Sequence, residues 1–434
     1  MSLATSRVHD APAAAVAEAT ARRSYGKLVA FVAARTRDVA AAEDALGAAF
    51  EAALRDWPVH GVPASPEAWL LTAARRQAID AARRRRTHDA ATPELLLFGG
   101  FAVDRAERAA DDDDGDAATA ARRAIPDDRL LLMFACAHPA IDASVRAPLM
   151  LQTLLGFDAA AIGSAFLVAP ATMGQRLVRA KAKIKQAGVP FRLPGADDLP
   201  ERLGSVLEAI YAAFTEGWSD PAGTDARRRN LAEEGLWLGQ LVATLLPDAA
   251  EALGLLALML HAQARQGARR DAAGAYVPLD AQDPARWDTA LIDHAEALLL
   301  RASRLGTIGR YQLEAAIQSA HVIRRRTGRA DWPAIAGLYD ALLALTGSPV
   351  VAINRAVAIA ETRGAAAGLA ALDAAASDAR LADHQPYWAA RAGLLARCGD
   401  APAADAAYRR AIGLEADPAV RQFLQDRRAA LGTG

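Results

Sequence analysis

The chain has 434 residues, room for roughly two to four domains. Its 50 basic and 51 acidic residues leave a formal net charge of −1, so any nucleic-acid role must rest on local basic patches. Aromatics make up only 6 %, alanine is abundant and strand-favouring runs are scarce, which predicts an all-α protein. Cys136 and Cys398 lie far apart, form no disulfide framework and read as buried small hydrophobes in a reducing compartment. Residues 1–23 lack the apolar core of a signal peptide, and the longest apolar run, Leu253 to Leu260, is too short to span a bilayer. A soluble cytoplasmic protein without a membrane partner is expected.

Residues 24–56 carry two helical patterns. Tyr25, Leu28, Val29 and Val32 share one face of the first. Ala45, Leu46, Ala49, Phe50 and Leu54 line the second, which opens with Glu43 and Asp44. Three prolines and a glycine between Trp57 and Pro66 predict a loop. A helix follows from Pro66 to Arg86, with Leu71, Ala74, Ala78 and Ala81 as its apolar stripe. Arg76, Asp80, Arg83 and Arg84 lie opposite, suited either to duplex phosphates or to a solvated helix end. Residues 20–87 therefore read as a three-helix body. Residues 88–124 lose periodicity, with Asp111 to Asp114, Asp116, Gly99, Gly100 and Gly115, and predict a flexible acidic linker holding an apolar island at Leu95 to Phe98.

Residues 125–190 return to helical patterning. Asp158 is placed to cap a short helix ending near Phe166, Leu167 to Ala169 form a turn, and Pro170 starts the next helix. Met173, Leu177, Ala180 and Ile184 form its core face; Thr172, Arg176, Arg179 and Lys183 lie opposite. Helix, turn and basic helix make the helix-turn-helix pattern. From residue 191 to 434 helices alternate with Gly and Pro. Trp388, Ala392 and Leu395, then Ala404, Tyr408 and Ala411 around Gly399, match the tetratricopeptide pattern of small and aromatic positions. Val350 to Glu361 and Ala365 to Ala376 repeat it around Gly364, while Leu203 to Gly217 and Arg286 to Ile323 are helical without a clear period. A helical solenoid is expected, with a concave surface for a protein or small-molecule regulator.

Catalytic chemistry finds no constellation. Cys136 and His138 would not share a helix face. His60, His88, His261, His294, His321 and His384 lack paired partners, and neither a GxGxxG nor a Walker lysine is present. No enzyme activity, cofactor or metal is expected.

The stretches AEDALGAAFEAALRDWP, PEAWLLTAARRQAIDAARRR and TMGQRLVRAKAKI, in this order, resemble bacterial RNA polymerase sigma factors of the extracytoplasmic function class. The later chain, with IPDDRLLLMFACAHPA, YAAFTEGW, RYQLEAAI and LYDALLALTGSPVVAINRAVAIAE, is similar to the subgroup with a long tetratricopeptide-like C-terminal extension. The resemblance implies that Asp44, Leu46 and Phe50 dock on core RNA polymerase. It implies that Arg75, Arg76, Gln77, Arg83 and Arg84 meet the promoter minus-ten element, and that Thr172, Gln175, Arg176 and Arg179 read the minus-thirty-five element. The Trp57–Pro66 loop would lie where an unstacked base is captured, and Trp69 reads as core packing. The extension would regulate the factor in cis. Three positions depart from the family pattern: Gly47-Ala48 replaces a Gln-Glu pair, Ala161 a glutamate and Ala169-Pro170 a Pro-Glu turn. The alternative is a sigma-like helical scaffold or ligand sensor with weak polymerase binding.

Overall fold

A computed structural model describes residues 13–36, 39–90, 128–186, 196–218 and 226–432. The all-α prediction holds: the described residues form helices, with one isolated β-bridge between Arg270 and Tyr276. The acidic linker, its Leu95 to Phe98 island and the aspartate run lie outside the described residues. The chain divides into two compact units, residues 1–213 and 214–434.

The first unit begins with α1 (Ala13–Thr36), which starts well before the pattern visible from Ser24. Leu28, Val29, Val32 and Ala33 bury one face, as their spacing requires, while Tyr25 is half-buried. Ser24 Oγ donates 2.5 Å to Glu67 Oε1 at the first turn of α3. Gly26 allows a backbone approach that no side chain would permit: a Cβ there would fall 1.6 Å from the Leu154 carbonyl oxygen.

Helix α2 (Val39–His60) corrects the loop predicted from Trp57. Its buried face is Ala42, Ala45, Leu46, Ala49, Ala53 and Trp57, a continuous 3–4 spacing that ends on a large anchor. Trp57 is 2 % exposed and packs edge-on against Trp69, ring centroids 5.6 Å apart at 70°. Burying that indole holds the helix through Pro58, which sits in the last turn where few backbone bonds remain to lose. Gly61, left-handed at φ +86°, ends it by donating to the Trp57 carbonyl. The same geometry corrects Leu54, which is half exposed on the outer face.

Helix α3 (Pro66–Ala90) continues past Arg86. Leu70 and Ala74 carry its core contact, whereas Leu71, Ala78 and Ala81 are half-buried flanks. The second body of this unit holds α4 (Asp128–Cys136), α5 (Ala143–Leu154), α6 (Ala159–Ala165) and α7 (Pro170–Gln186). In α4, Leu130 to Cys136 is buried on every side. Helix α8 (Leu199–Trp218) follows, and Arg202 donates to the Phe134 carbonyl and to Asp198.

The second unit contains α9 (Ala226–Leu245), α10 (Ala250–Ala264), α11 (Thr289–Ser303), α12 (Arg310–Val322) and the short α13 (Arg324–Thr327). The apolar run Leu253 to Leu260 is the centre of α10, wholly buried. Helices α14 (Trp332–Thr346), α15 (Pro349–Arg363), α16 (Ala365–Ala375), α17 (Gln385–Arg397), α18 (Ala401–Leu414) and α19 (Pro418–Ala429) pack in sequence. Three of them, α14, α18 and α19, start on Asp331, Asp400 and Asp417, which accept from the first free N–H groups with proline just inside. Gly364 and Gly399 turn between paired helices at φ +91° and +82°, and Ala392, Leu395, Ala404, Tyr408 and Ala411 form one cluster. This unit departs from an open solenoid, in which repeats touch only neighbours. Arg270 pairs with Asp417 at 2.5 Å and Tyr276 packs edge-on against Phe423, tying α19 back to a loop far earlier in the chain. Cys398 is exposed, contrary to expectation; Cys136 is buried.

Candidate nucleic-acid and polymerase interface

The α6–turn–α7 arrangement, where a helix-turn-helix is expected, forms from local signals. Asp158 accepts from the N–H groups of Ala160 and Ala161, at 3.0 and 2.8 Å, and caps α6. The turn closes when Val168 N–H donates 2.8 Å to the Gly163 carbonyl, and Leu167 takes a left-handed φ of +52°. Gly163 is required there, because a Cβ would fall 2.5 Å from the Val168 carbonyl oxygen. Met173 and Leu177 then bury one face of α7, each 1 % exposed. Thr172, Gln175, Arg176, Arg179 and Lys183 face outward, and Ala180 is half-buried. The Ile184 side chain lies outside the described residues. With Val178 also exposed, the outer face offers two guanidinium groups, an amide and a hydroxyl along about two turns. That set can neutralise phosphates and contact base edges.

On α3, Arg75 and Arg76 are exposed and Gln77 is half-buried. Arg83 and Arg84 lie on the same helix, but their side chains fall outside the described residues. Trp69 is half-buried and packs edge-on against the buried Trp57.

The three residues expected to dock on polymerase separate by burial. Asp44 is exposed; Phe50 is half-buried, stacked on Tyr25 at 6.3 Å; Leu46 is completely buried. Leu46 therefore shapes the α2 core and is not available to a partner in this arrangement. The outward face of α2 is Asp44, Gly47, Glu51, Leu54 and Arg55. Leu54 was missed because helical phase alone does not say which of two adjacent apolar residues meets the core. Beside this face, burial, Glu43 and Asp44 together push the Tyr25 phenol upward.

A contact within the first unit joins its two bodies: Lys181 Nζ on α7 lies 2.9 Å from Glu43 Oε2 on α2. Cys136 is buried beside this pair. Desolvation, with Glu43 adding to it, pushes its thiol up to about 12, so it is held neutral. Among the described residues no cluster of three or more His, Cys, Asp or Glu is placed to hold a metal ion, and no helix is long and apolar enough to cross a membrane.

A second feature was not anticipated. A cavity of about 620 Å3 in the second unit is bounded by α11, α12 and α13 and lined by Asp293, Glu296, Arg325 and Arg326. Its acidic wall comes from two carboxylates three residues apart on α11, a helix that also carries His294 and Arg301.

Comparison with known proteins places two family models on the chain. Sigma-70 region 2 matches residues 21–88, the span of α1 to α3 apart from its ends, and a family of unknown function (DUF6596) matches residues 202–303. No solved structure matches. An uncharacterized protein of Rhizobium meliloti (strain 1021) is 38 % identical over 389 residues, covering 90 % of this chain and 89 % of that protein. The chain therefore belongs to the same family as that Rhizobium meliloti protein, and its first three helices are similar to sigma-70 region 2.

Proposed function

We propose that this protein is a sigma factor, of the extracytoplasmic function type, that binds core RNA polymerase and directs promoter-specific transcription initiation. The observation that carries the reading is the sigma-70 region 2 match on α1 to α3, a body whose α2 and α3 leave Asp44, Arg75 and Arg76 facing out. In this reading residues 20–87 form region 2, residues 88–124 the linker and residues 125–190 a region 4 helix-turn-helix. Residues 191–434 are a regulatory extension, tetratricopeptide-like towards its end. Exposed Asp44, Glu51, Leu54 and Arg55 meet the polymerase, with Leu46 and Phe50 supporting the helix from beneath. Arg75, Arg76, Gln77, Arg83 and Arg84 meet the minus-ten region, and Thr172, Gln175, Arg176 and Arg179 the minus-thirty-five region. Bond making belongs to the polymerase, so this chain contributes binding and positioning. The extension acts in cis on transcription, through a protein or small-molecule regulator.

The test is reconstitution of the full chain with core polymerase. A stable holoenzyme that gives run-off transcripts from a matched promoter is expected. Replacing Asp44 and Leu54 together, as Asp44→Ala and Leu54→Ala, should weaken holoenzyme formation while leaving the helical content unchanged. Absence of polymerase binding at low salt would replace the proposal with a sigma-like scaffold or ligand sensor, a reading that exposed Gly47 favours by leaving a bare stretch in the docking face.

A further inference from the structure

The cavity of the second unit has walls of opposite charge. Helix α11 presents Asp293 and Glu296 on one face, one turn apart; α13 contributes Arg325 and Arg326. Between them the lining is mostly small and apolar, with Ile292, Ala316 and the hydroxyl of Ser319, and Asp331, which caps α14 by accepting from Ala334 N–H, closes the basic side. No ion pair joins either carboxylate to either guanidinium. Arg325 turns an Nη2 to Thr289 Oγ1 at 2.8 Å. Opposite charges that share a cavity without meeting leave space for a group that contacts both.

Behind Glu296 lies a second anomaly. The His261 side chain is fully buried, and neither ring nitrogen has a hydrogen-bond partner. Its Nε2 is 3.5 Å from Glu296 Oε1, close enough to face that carboxylate but too long for a hydrogen bond. Burial, and next the nearby Arg265, hold the imidazole down to about 4, so near neutral pH it carries no charge. The Glu296 side chain, 42 % exposed, therefore meets a neutral ring on its inner side and the cavity on its outer side. Buried polar groups without partners are uncommon and call for an explanation.

We infer that this cavity binds a small zwitterion, its amine held by Asp293 and Glu296 and its anionic end by Arg325 and Arg326. The volume falls within the roughly 300–1,000 Å3 of small-molecule sites. A lone cation or anion would satisfy one wall and leave the other unpaired. Nucleic acid is disfavoured because its phosphates would meet Asp293 and Glu296 as well as the arginines. The aliphatic part of the ligand rests on Ile292 and Ala316. The match to the family of unknown function ends at residue 303, so it includes the acidic wall and not the basic one. The site does not depend on the sigma-factor reading, since occupancy is measured without polymerase or DNA.

The experiment is isothermal titration calorimetry on the full chain, with three sets of probes. These are free L-amino acids, dipeptides with both termini free, and phosphoethanolamine; N-acetylated and amide-capped dipeptides serve as counterparts. Saturable binding of a free zwitterion, weakened about tenfold or more by Glu296→Gln and by Arg326→Gln and absent for the capped forms, is expected. Binding confined to phosphoethanolamine assigns a phosphate as the anionic end; binding confined to amino acids or dipeptides assigns a carboxylate. Asp293→Asn gives the same readout if Glu296→Gln fails to reach the wild-type melting curve. No saturable binding from any probe, or affinities unchanged in the variants, overturns the inference.

Discussion

Reversing the Glu43–Lys181 pair tests whether the two bodies of the first unit are held together as described. The pair is 2.9 Å long, and its side chains are only 28 % and 19 % exposed on the lysine and glutamate sides. At that distance the direct attraction is about 6 kcal/mol for an effective dielectric constant of about 20. Desolvating both partners offsets most of it, leaving a coupling of about 1–2 kcal/mol, above the range of fully exposed pairs. Lys181→Glu places two carboxylates together beside buried Cys136 and costs more than simple loss of the pair. It should lower the melting temperature of this unit by about 2–4 °C per kcal/mol. Glu43→Lys alone leaves two cations, while Glu43→Lys with Lys181→Glu restores the pair in reverse. The assay is a double-mutant cycle by urea unfolding followed by circular dichroism, repeated at high salt, where a half-buried pair keeps most of its coupling. A coupling below about 0.3 kcal/mol, or a reversed pair no more stable than the single variants, would refute the contact.

Other consequences can be checked on the same protein. Arg176→Gln and Arg179→Gln should each weaken promoter binding across sequences and reduce the salt slope by about one, measured by fluorescence anisotropy. Gln175→Ala should instead relax sequence discrimination by about 1–3 kcal/mol at one base pair. Native protein should present one rapidly reacting thiol, at exposed Cys398, because Cys136 is buried with its thiol pushed up to about 12; a thiol-reactive dye titrated before and after denaturation counts them. Burial holds His261 and His321 down to about 4 from an ordinary 6.5, with Arg265 adding to the effect at both. A depressed folded pKa favours the neutral ring, so this stability is complete above about pH 6.5 and is lost as pH falls towards 4. Melting temperatures at pH 7.5, 5.5 and 4.5 should fall, and less so in His261→Gln with intact folding; a flat profile would contradict the burial of these rings.

Local chemistry was legible in the residues alone. Asp158 before a short helix, Pro170 at the next start, and Gly364 and Gly399 between paired helices each act within four or five residues of themselves. A capping carboxylate or a left-handed glycine does the same work in any tertiary setting, and the α6–turn–α7 hairpin and the C-terminal helix pairs followed from these signals. The outward placement of Thr172, Gln175, Arg176 and Arg179 follows in the same way, because Met173 and Leu177 fix the helical phase.

What the sequence could not decide depends on which surfaces meet. Pro58 and Gly61 look like a loop until Trp57 is seen buried against Trp69, where the free energy of burying an indole outweighs a proline in the last turn. Leu46 and Leu54 are equally apolar, yet packing against α1 and α3 makes one core and the other surface. The return of α19 to Arg270 and Tyr276, and the convergence of α11 and α13 on one cavity, join residues with no shared period. Local sequence selects backbone conformation through short-range hydrogen bonds and sterics. Tertiary packing alone selects the partner of each face, and so it alone placed Asp293 and Glu296 across from Arg325 and Arg326.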